Sequence, residues 1–220
     1  MAKPIQGLFF RDIYNDYIAH IIKEIYFDRV YDRLIGDKKD MTVLDIGANV
    51  GLFSYYIAPK ASRVIAIEPS ALHFETLSKM VEFNGLGNVA PLKAAIAGQT
   101  GTSTFYHNSN TTMFSLKPDV NSLPDEAEEV DTLSMDELFK TCGIEHVDLL
   151  KLDVEGSEMD IIASAGFAAV ADKIDMIIGE YHTWSNINPL QFKNALTDLG
   201  FEFEWLNSTE ASMFVAQRNK

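Results

Sequence analysis

Thr42-Val-Leu-Asp-Ile-Gly-Ala-Asn-Val-Gly-Leu-Phe-Ser54 is the stretch on which the fold turns, because a buried apolar run breaks there into an acidic, glycine-spaced turn that must open a helix. Gly47 and Gly51 let backbone approach a ligand where a Cβ would clash, and the helix opening near Gly51 points free N–H groups at an anionic group. Asp45 ends the strand beside that turn. Downstream, Arg63-Val-Ile-Ala-Ile-Glu-Pro-Ser70 reads as a second buried strand ending in Glu68, whose carboxylate can accept both hydroxyl protons of a ribose. The spacing is Asp-x-Gly-x-x-x-Gly rather than Gly-x-Gly-x-x-Gly, which moves the favoured ligand from a dinucleotide pyrophosphate toward S-adenosyl-L-methionine (SAM).

The 220 residues, 47% apolar and 23% charged, suffice for one globular domain with a sizeable core. A net charge of −14 repels phosphate backbones and anionic lipid, so neither a nucleic acid nor a membrane is expected as partner. Arg11, Asp12, His20, Lys23 and Glu24 interrupt residues 1–35, leaving no apolar stretch that fits a signal peptide or a membrane span; a cytoplasmic protein is expected. Cys142 is the only cysteine, which excludes an intrachain disulfide and a cysteine-based metal cluster.

Ile13, Tyr17, Ile21 and Ile25, widened by Ile18, Ile22 and Leu34, predict an amphipathic N-terminal helical segment over residues 1–38. Arg11, Tyr14 and His20 on it are placed to cap a ligand cleft. Strand and helix signals then alternate: strand 41–46, helix 51–59, strand 63–68, helix 71–84 and strand 89–93, closing a cofactor-binding half at residue 97. Residues 98–130 break the pattern. Thr102 to Tyr106 reads as an extra strand, whereas Asn108 to Ser115 and the acidic Pro124 to Glu129 read as loop, either a substrate-selecting insertion or a variable surface.

Alternation resumes over 131–220 with a helix at 134–140, a strand at 147–152, a helix at 157–165, a strand at 174–179 and a helix at 189–199. The chain closes with 201–206, a turn at Asn207 to Glu210, and 211–217, which read as a hairpin. The expected fold is therefore α/β and Rossmann-like: a seven-stranded, mostly parallel sheet with an antiparallel C-terminal hairpin strand, helices on both faces and an N-terminal helical cap. This is the class I methyltransferase architecture.

Leu150-Lys-Leu-Asp-Val-Glu-Gly-Ser-Glu158 places Asp153 and Glu155 beyond the C-terminal end of a buried strand, where open α/β sheets bind ligands. Ser157, with Glu158 and Asp160 behind it, is read as a helix cap. Together with Val43 to Ser54, Ile67-Glu-Pro-Ser70, Ala94 to Ala97 and Asp131 to Leu138, this segment resembles the FkbM-type SAM-dependent methyltransferases, which mostly methylate hydroxyl groups of sugars, polyketides and related metabolites. The resemblance implies that Asp45, Gly47, Asn49 and Gly51 surround the methionine half of SAM, that Glu68 binds its ribose, and that Ser70 and Ala95 lie near the adenine. Asn49 has a competing role, since asparagine tolerates the left-handed turn and can simply shape the loop.

Methyl transfer to a hydroxyl needs a group that takes the proton. The candidates are Asp153, Glu155, Glu180 and His182, with His182 leading because its ordinary pKa of about 6.5 suits work near neutrality. Lys151 either neutralises Asp153 or Glu155, or orients the acceptor or the cofactor carboxylate. Asp153, Glu180 and His182 also form a candidate Mg²⁺ site. The expected partner is a small hydroxyl-bearing acceptor. A SAM-binding scaffold without turnover and a nicotinamide-dependent oxidoreductase are the competing readings, and Phe9, Phe10, Tyr14 and Trp184 line either a substrate pocket or a subunit contact.

Overall fold

The structure, a computed structural model, describes residues 19, 21–107, 114–116, 126–182, 188–206 and 211–218. In chain order the strands are β1 (Met41–Ile46), β2 (Ala61–Ile67), β3 (Val89–Leu92), β4 (Ala95–Ile96), β5 (Gly101–His107), β6 (Phe114–Ser115), β7 (Glu126–Leu133), β8 (Leu149–Leu152), β9 (Met176–His182), β10 (Glu202–Trp205) and β11 (Ala211–Gln217). Seven of them form one sheet in the order β10-β11-β9-β8-β1-β2-β3. Every pairing in it is parallel except the two made by β11, which runs antiparallel to both β9 and β10.

The helices are α1 (Asp32–Ile35), α2 (Leu52–Ile57), α3 (Ala71–Phe83), α4 (Met135–Cys142), α5 (Glu158–Ile162), α6 (Ala165–Ala168) and α7 (Pro189–Asp198). They cover both faces of the sheet. Leu44, Ile46, Ile65, Leu150, Ile177 and Phe214 pack on one side with Leu138, Ile161, Phe167 and Phe192 from α4 to α7. Val43, Val64, Leu149, Ile178 and Val215 pack on the other with Phe53, Leu77 and Met80 from α2 and α3. Burial on both faces is what gives β1 and β8 their continuous apolar runs.

Ile25, Tyr31 and Ile35 bury themselves against the second face, so the described end of the N-terminal segment covers the sheet as a helical cap should. Its local form is a π-helical turn, Lys23–Asp28, followed by α1. Ile13, Tyr17, Ile18, Phe9, Phe10, Arg11, Tyr14 and His20 lie outside the described residues, as do Trp184 and the turn at 207–210.

Three boundaries differ from expectation. Glu126 to Glu129, read as loop, belongs to β7, which pairs antiparallel with β5 through Phe105↔Glu128 and Tyr106↔Ala127. β4, β7, β5 and β6 form a second, four-stranded sheet whose apolar contact is limited to a few side chains such as Ala95, Phe105 and Val130. An acidic sequence therefore folds as strand because backbone pairing, with only one lightly buried face, holds it. The helix expected over 157–165 breaks after Ile162, where Ser164 Oγ accepts from Phe167 N at 3.0 Å and starts α6. The strand expected to stop at Gly179 continues to His182, paired throughout with β11.

Phe192 fastens α7 to the sheet, its ring centroid 4.9 Å from Tyr181 and 5.0 Å from Phe214. Phe192→Ala is expected to lower stability by about 3–5 kcal/mol, measured by denaturant unfolding, because a fully buried ring leaves a cavity.

Candidate active site

Strand order reverses between β1, which continues to β2 and β3, and β8, which continues to β9. Open α/β sheets bind ligands at such a switch point, beyond the carboxyl ends of the strands. Here Asp45 and Lys151 are direct neighbours in the β1–β8 register. Lys151 Nζ lies 3.1 Å from Asp153 Oδ2, 3.7 Å from Asp45 Oδ1 and 3.2 Å from the carbonyl oxygen of Gly47. Burial disfavours its charge, but Asp153 and Asp45 outweigh that and hold the ammonium above its ordinary pKa. Lys151 is thus a buried cation that ties two strand ends together.

Asp45 is fully buried, its Oδ2 accepting from Ser54 Oγ at 2.6 Å, and burial pushes its pKa up. It sits beneath the turn and does not line the cleft. Gly47 and Gly51 adopt left-handed φ values of 78° and 89°. A Cβ on Gly47 would overlap the carbonyl oxygen of Asp153, and one on Gly51 would run into Leu77 and Met80. The glycine requirement therefore arises from the protein's own packing rather than from a ligand's approach. Asn49, also left-handed at φ 52°, donates its N–H to Glu68 Oε2 at 2.9 Å, and its Oδ1 accepts from Val50 N at 2.7 Å.

Glu68 holds the turn from the other strand. Its Oε1 accepts from Ser70 N and its Oε2 from Asn49 N, both at 2.9 Å, leaving each oxygen a second lone pair. Burial pushes its pKa up to about 7, against those two hydrogen bonds. Ser70 is buried as the N-cap of α3 and does not line the cleft. The cleft itself has Gly47, Asn49, Glu68, Ala95, Asp153 and Glu155 in its walls. Sequence reasoning missed His73, Phe105 and Leu116, which also line it; Phe105 and Leu116 come from the second sheet and its edge, where no motif marked them.

The largest departure concerns His182. Its Nδ1 is 2.7 Å from Glu158 Oε1, and its Nε2 is 3.2 Å from Glu155 Oε2 and 4.0 Å from Asp153 Oδ1. Burial lowers its pKa, but the hydrogen bonds to Glu155 and Glu158 prevail and push it up to about 12. An imidazolium has no lone pair with which to take a proton. The expectation that His182 is the leading proton acceptor gives way to a fixed cation that anchors Glu155. Glu155 itself is left-handed at φ 54°, with its carbonyl accepting from Ser115 Oγ at 2.5 Å.

The candidate Mg²⁺ set is Asp153, Glu180 and His182. Among the described residues Asp153, Glu155 and His182 bring donor atoms within 4.8 Å of one another, with Glu155 in place of the expected Glu180.

Glu180 lies on the same side of β9 as His182, one residue pair away. Its pKa rises to about 8, chiefly through the Asp153 carboxylate and then through burial. Asp153 goes the other way: burial raises it, but Lys151 and His182 hold it below its ordinary value. Tyr31, missed in the sequence, contributes a buried phenol that feels Lys151, Glu180 and Asp153. Lys151→Met is expected to lower stability by about 3–5 kcal/mol in denaturant unfolding, since Asp45 and Asp153 lose their buried counter-ion.

Comparison with known proteins bears on this site. The Methyltransferase FkbM domain family matches residues 45–206. The chain is similar to the AMB antimetabolite synthetase AmbE of Pseudomonas aeruginosa, at 32% identity over 83% of this chain, and spans about 10% of that synthetase. It is similar over nearly full lengths to methyltransferase sdnD of Sordaria araneosa, at 27% identity over 90% of this chain and 89% of the relative. The 31-O-demethyl-FK506 methyltransferase FkbM of Streptomyces tacrolimicus is 27% identical over 74% of each chain. The crystal structure of methyltransferase FkbM from Methylobacillus flagellatus shares the fold, with a TM-score of 0.58 at 15% identity over 80% of this chain and 43% of that one. No helix among the described residues is long and apolar enough to cross a membrane. The chain belongs to the FkbM methyltransferase family, whose members' chemistry implies use of SAM.

Proposed function

We propose that the protein methylates a hydroxyl oxygen of a small molecule using SAM. The observation that carries the oxygen assignment is Glu180: a carboxylate whose pKa stands at about 8, with no hydrogen bond or ion pair among the described residues. A proton acceptor works best when its pKa lies near the operating pH. The O-methyl chemistry in the name of the FK506 relative points the same way.

The cleft fits the cofactor. Glu68 offers open lone pairs to a ribose, and Gly47, Asn49 and Ala95 complete the surrounding wall. SAM supplies an activated methyl group for in-line displacement, so the protein's task is alignment, exclusion of water and removal of a proton. Lys151 and Gly47 fix the floor of the site. His182 holds Glu155 by charge, and Asp153 raises the basicity of Glu180. Glu180 takes the hydroxyl proton as the carbon–oxygen bond forms.

Three outcomes test this reading. Labelled methyl transfer from SAM to a panel of sugars and polyhydroxylated metabolites should yield an ether, with a rate that climbs as pH rises through about 8 and then levels, because Glu180 must be ionised. Glu180→Gln should cost roughly 10²- to 10⁴-fold in kcat with little change in cofactor affinity; retention of full rate would remove Glu180 from the role. S-adenosylhomocysteine affinity, measured by calorimetry, should weaken as pH falls below about 7, where Glu68 takes up a proton and loses acceptor capacity.

A further inference from the structure

Ser157 stands between β8 and α5, in the position of a helix cap, yet its side chain makes no capping hydrogen bond. The neighbouring hydroxyls are all engaged: Ser115 Oγ donates to the Glu155 carbonyl, and Ser164 Oγ donates to the Ile161 carbonyl at 2.7 Å while accepting from Phe167 N. Ser157 Oγ alone among them is buried without a hydrogen-bond partner, in a residue that is 3% exposed. Buried polar groups are nearly always paired, and an unpaired one destabilises the fold unless something else uses it.

Ser157 is one of the residues that line the cleft. Ala94, Ala95, Ile96, Phe105 and Leu116 line the same cavity, apolar groups of the kind that accept a flat ring. Glu68 is at the sugar-binding end of the reading given above. A nucleoside held there by Glu68 has its base against the apolar wall and needs a polar partner at its edge.

We propose that the Ser157 hydroxyl is a direct hydrogen-bonding contact to the nucleoside of the bound cofactor, a contact that the helix-cap reading concealed. The inference rests on SAM binding in this cleft and adds a named recognition group to it. Because the hydroxyl has no partner among the described residues, its removal affects the ligand and not the fold.

The test is calorimetric titration of wild type and Ser157→Ala with S-adenosylhomocysteine and with adenosine, beside the unfolding midpoint of each ligand-free protein. Both ligands should bind the variant about fivefold more weakly, while the ligand-free midpoint stays level or rises. Equal affinities for wild type and variant overturn the inference and leave the cofactor reading intact. Weakening toward S-adenosylhomocysteine without weakening toward adenosine also overturns it, as does a lowered ligand-free midpoint, which would mark Ser157 as structural. Failure of the wild type to bind either ligand overturns the cofactor reading and this inference with it.

Discussion

A buried ammonium organises the ligand end of this fold. Lys151 sits where β1 and β8 run side by side, within 3.7 Å of Asp45, Asp153 and the Gly47 carbonyl. Desolvating such charges is expensive, and the arrangement holds only when every partner is in place. The Gly47 turn and the Asp153 segment are consequently fixed against each other, with no room for a side chain between them. Glu68 completes the brace by binding the turn through Asn49 and α3 through Ser70. The cleft is then the space left open above a rigid floor, which is the preorganisation that positional catalysis needs.

Around that floor the same electrostatics divide the acids into different roles. Asp153, beside Lys151 and the charged His182, stays ionised, and its negative charge is what raises Glu180. His182 spends both nitrogens on Glu155 and Glu158, while Glu158 Oε1 also accepts from Gly156 N at 3.0 Å. A pair of carboxylates whose environments push their pKa values apart is the usual sign of divided duties in a site. Here the division leaves Glu180 to titrate in the working range and keeps the histidine as a structural cation.

Much of this was legible in the sequence where burial dictates pattern. β1 and the helix after it follow directly from an apolar run ended by Asp45 and Gly47, and the hairpin of β10 and β11 follows from two apolar runs around a polar turn. The strand β7 was hidden because its residues are acidic and its sheet is only lightly buried, so no apolar alternation advertises it. Glu68 and Asp153 could be placed at strand ends from the motif alone, whereas Ala95 came only from the family resemblance. The role of His182 could not, because its protonation depends on Glu155 and Glu158, which reach it through the turn after β8. Likewise, nothing in Gly47-Ala-Asn-Val-Gly51 distinguishes a glycine needed by a ligand from one needed by the Asp153 carbonyl.

The most direct test of the account is a crystal structure of the protein grown with saturating S-adenosylhomocysteine. The account predicts ligand density in the cleft, with the ribose hydroxyls on Glu68 and the base against Ala95 and Phe105. An empty cleft at saturation, or the ligand bound elsewhere, would contradict it.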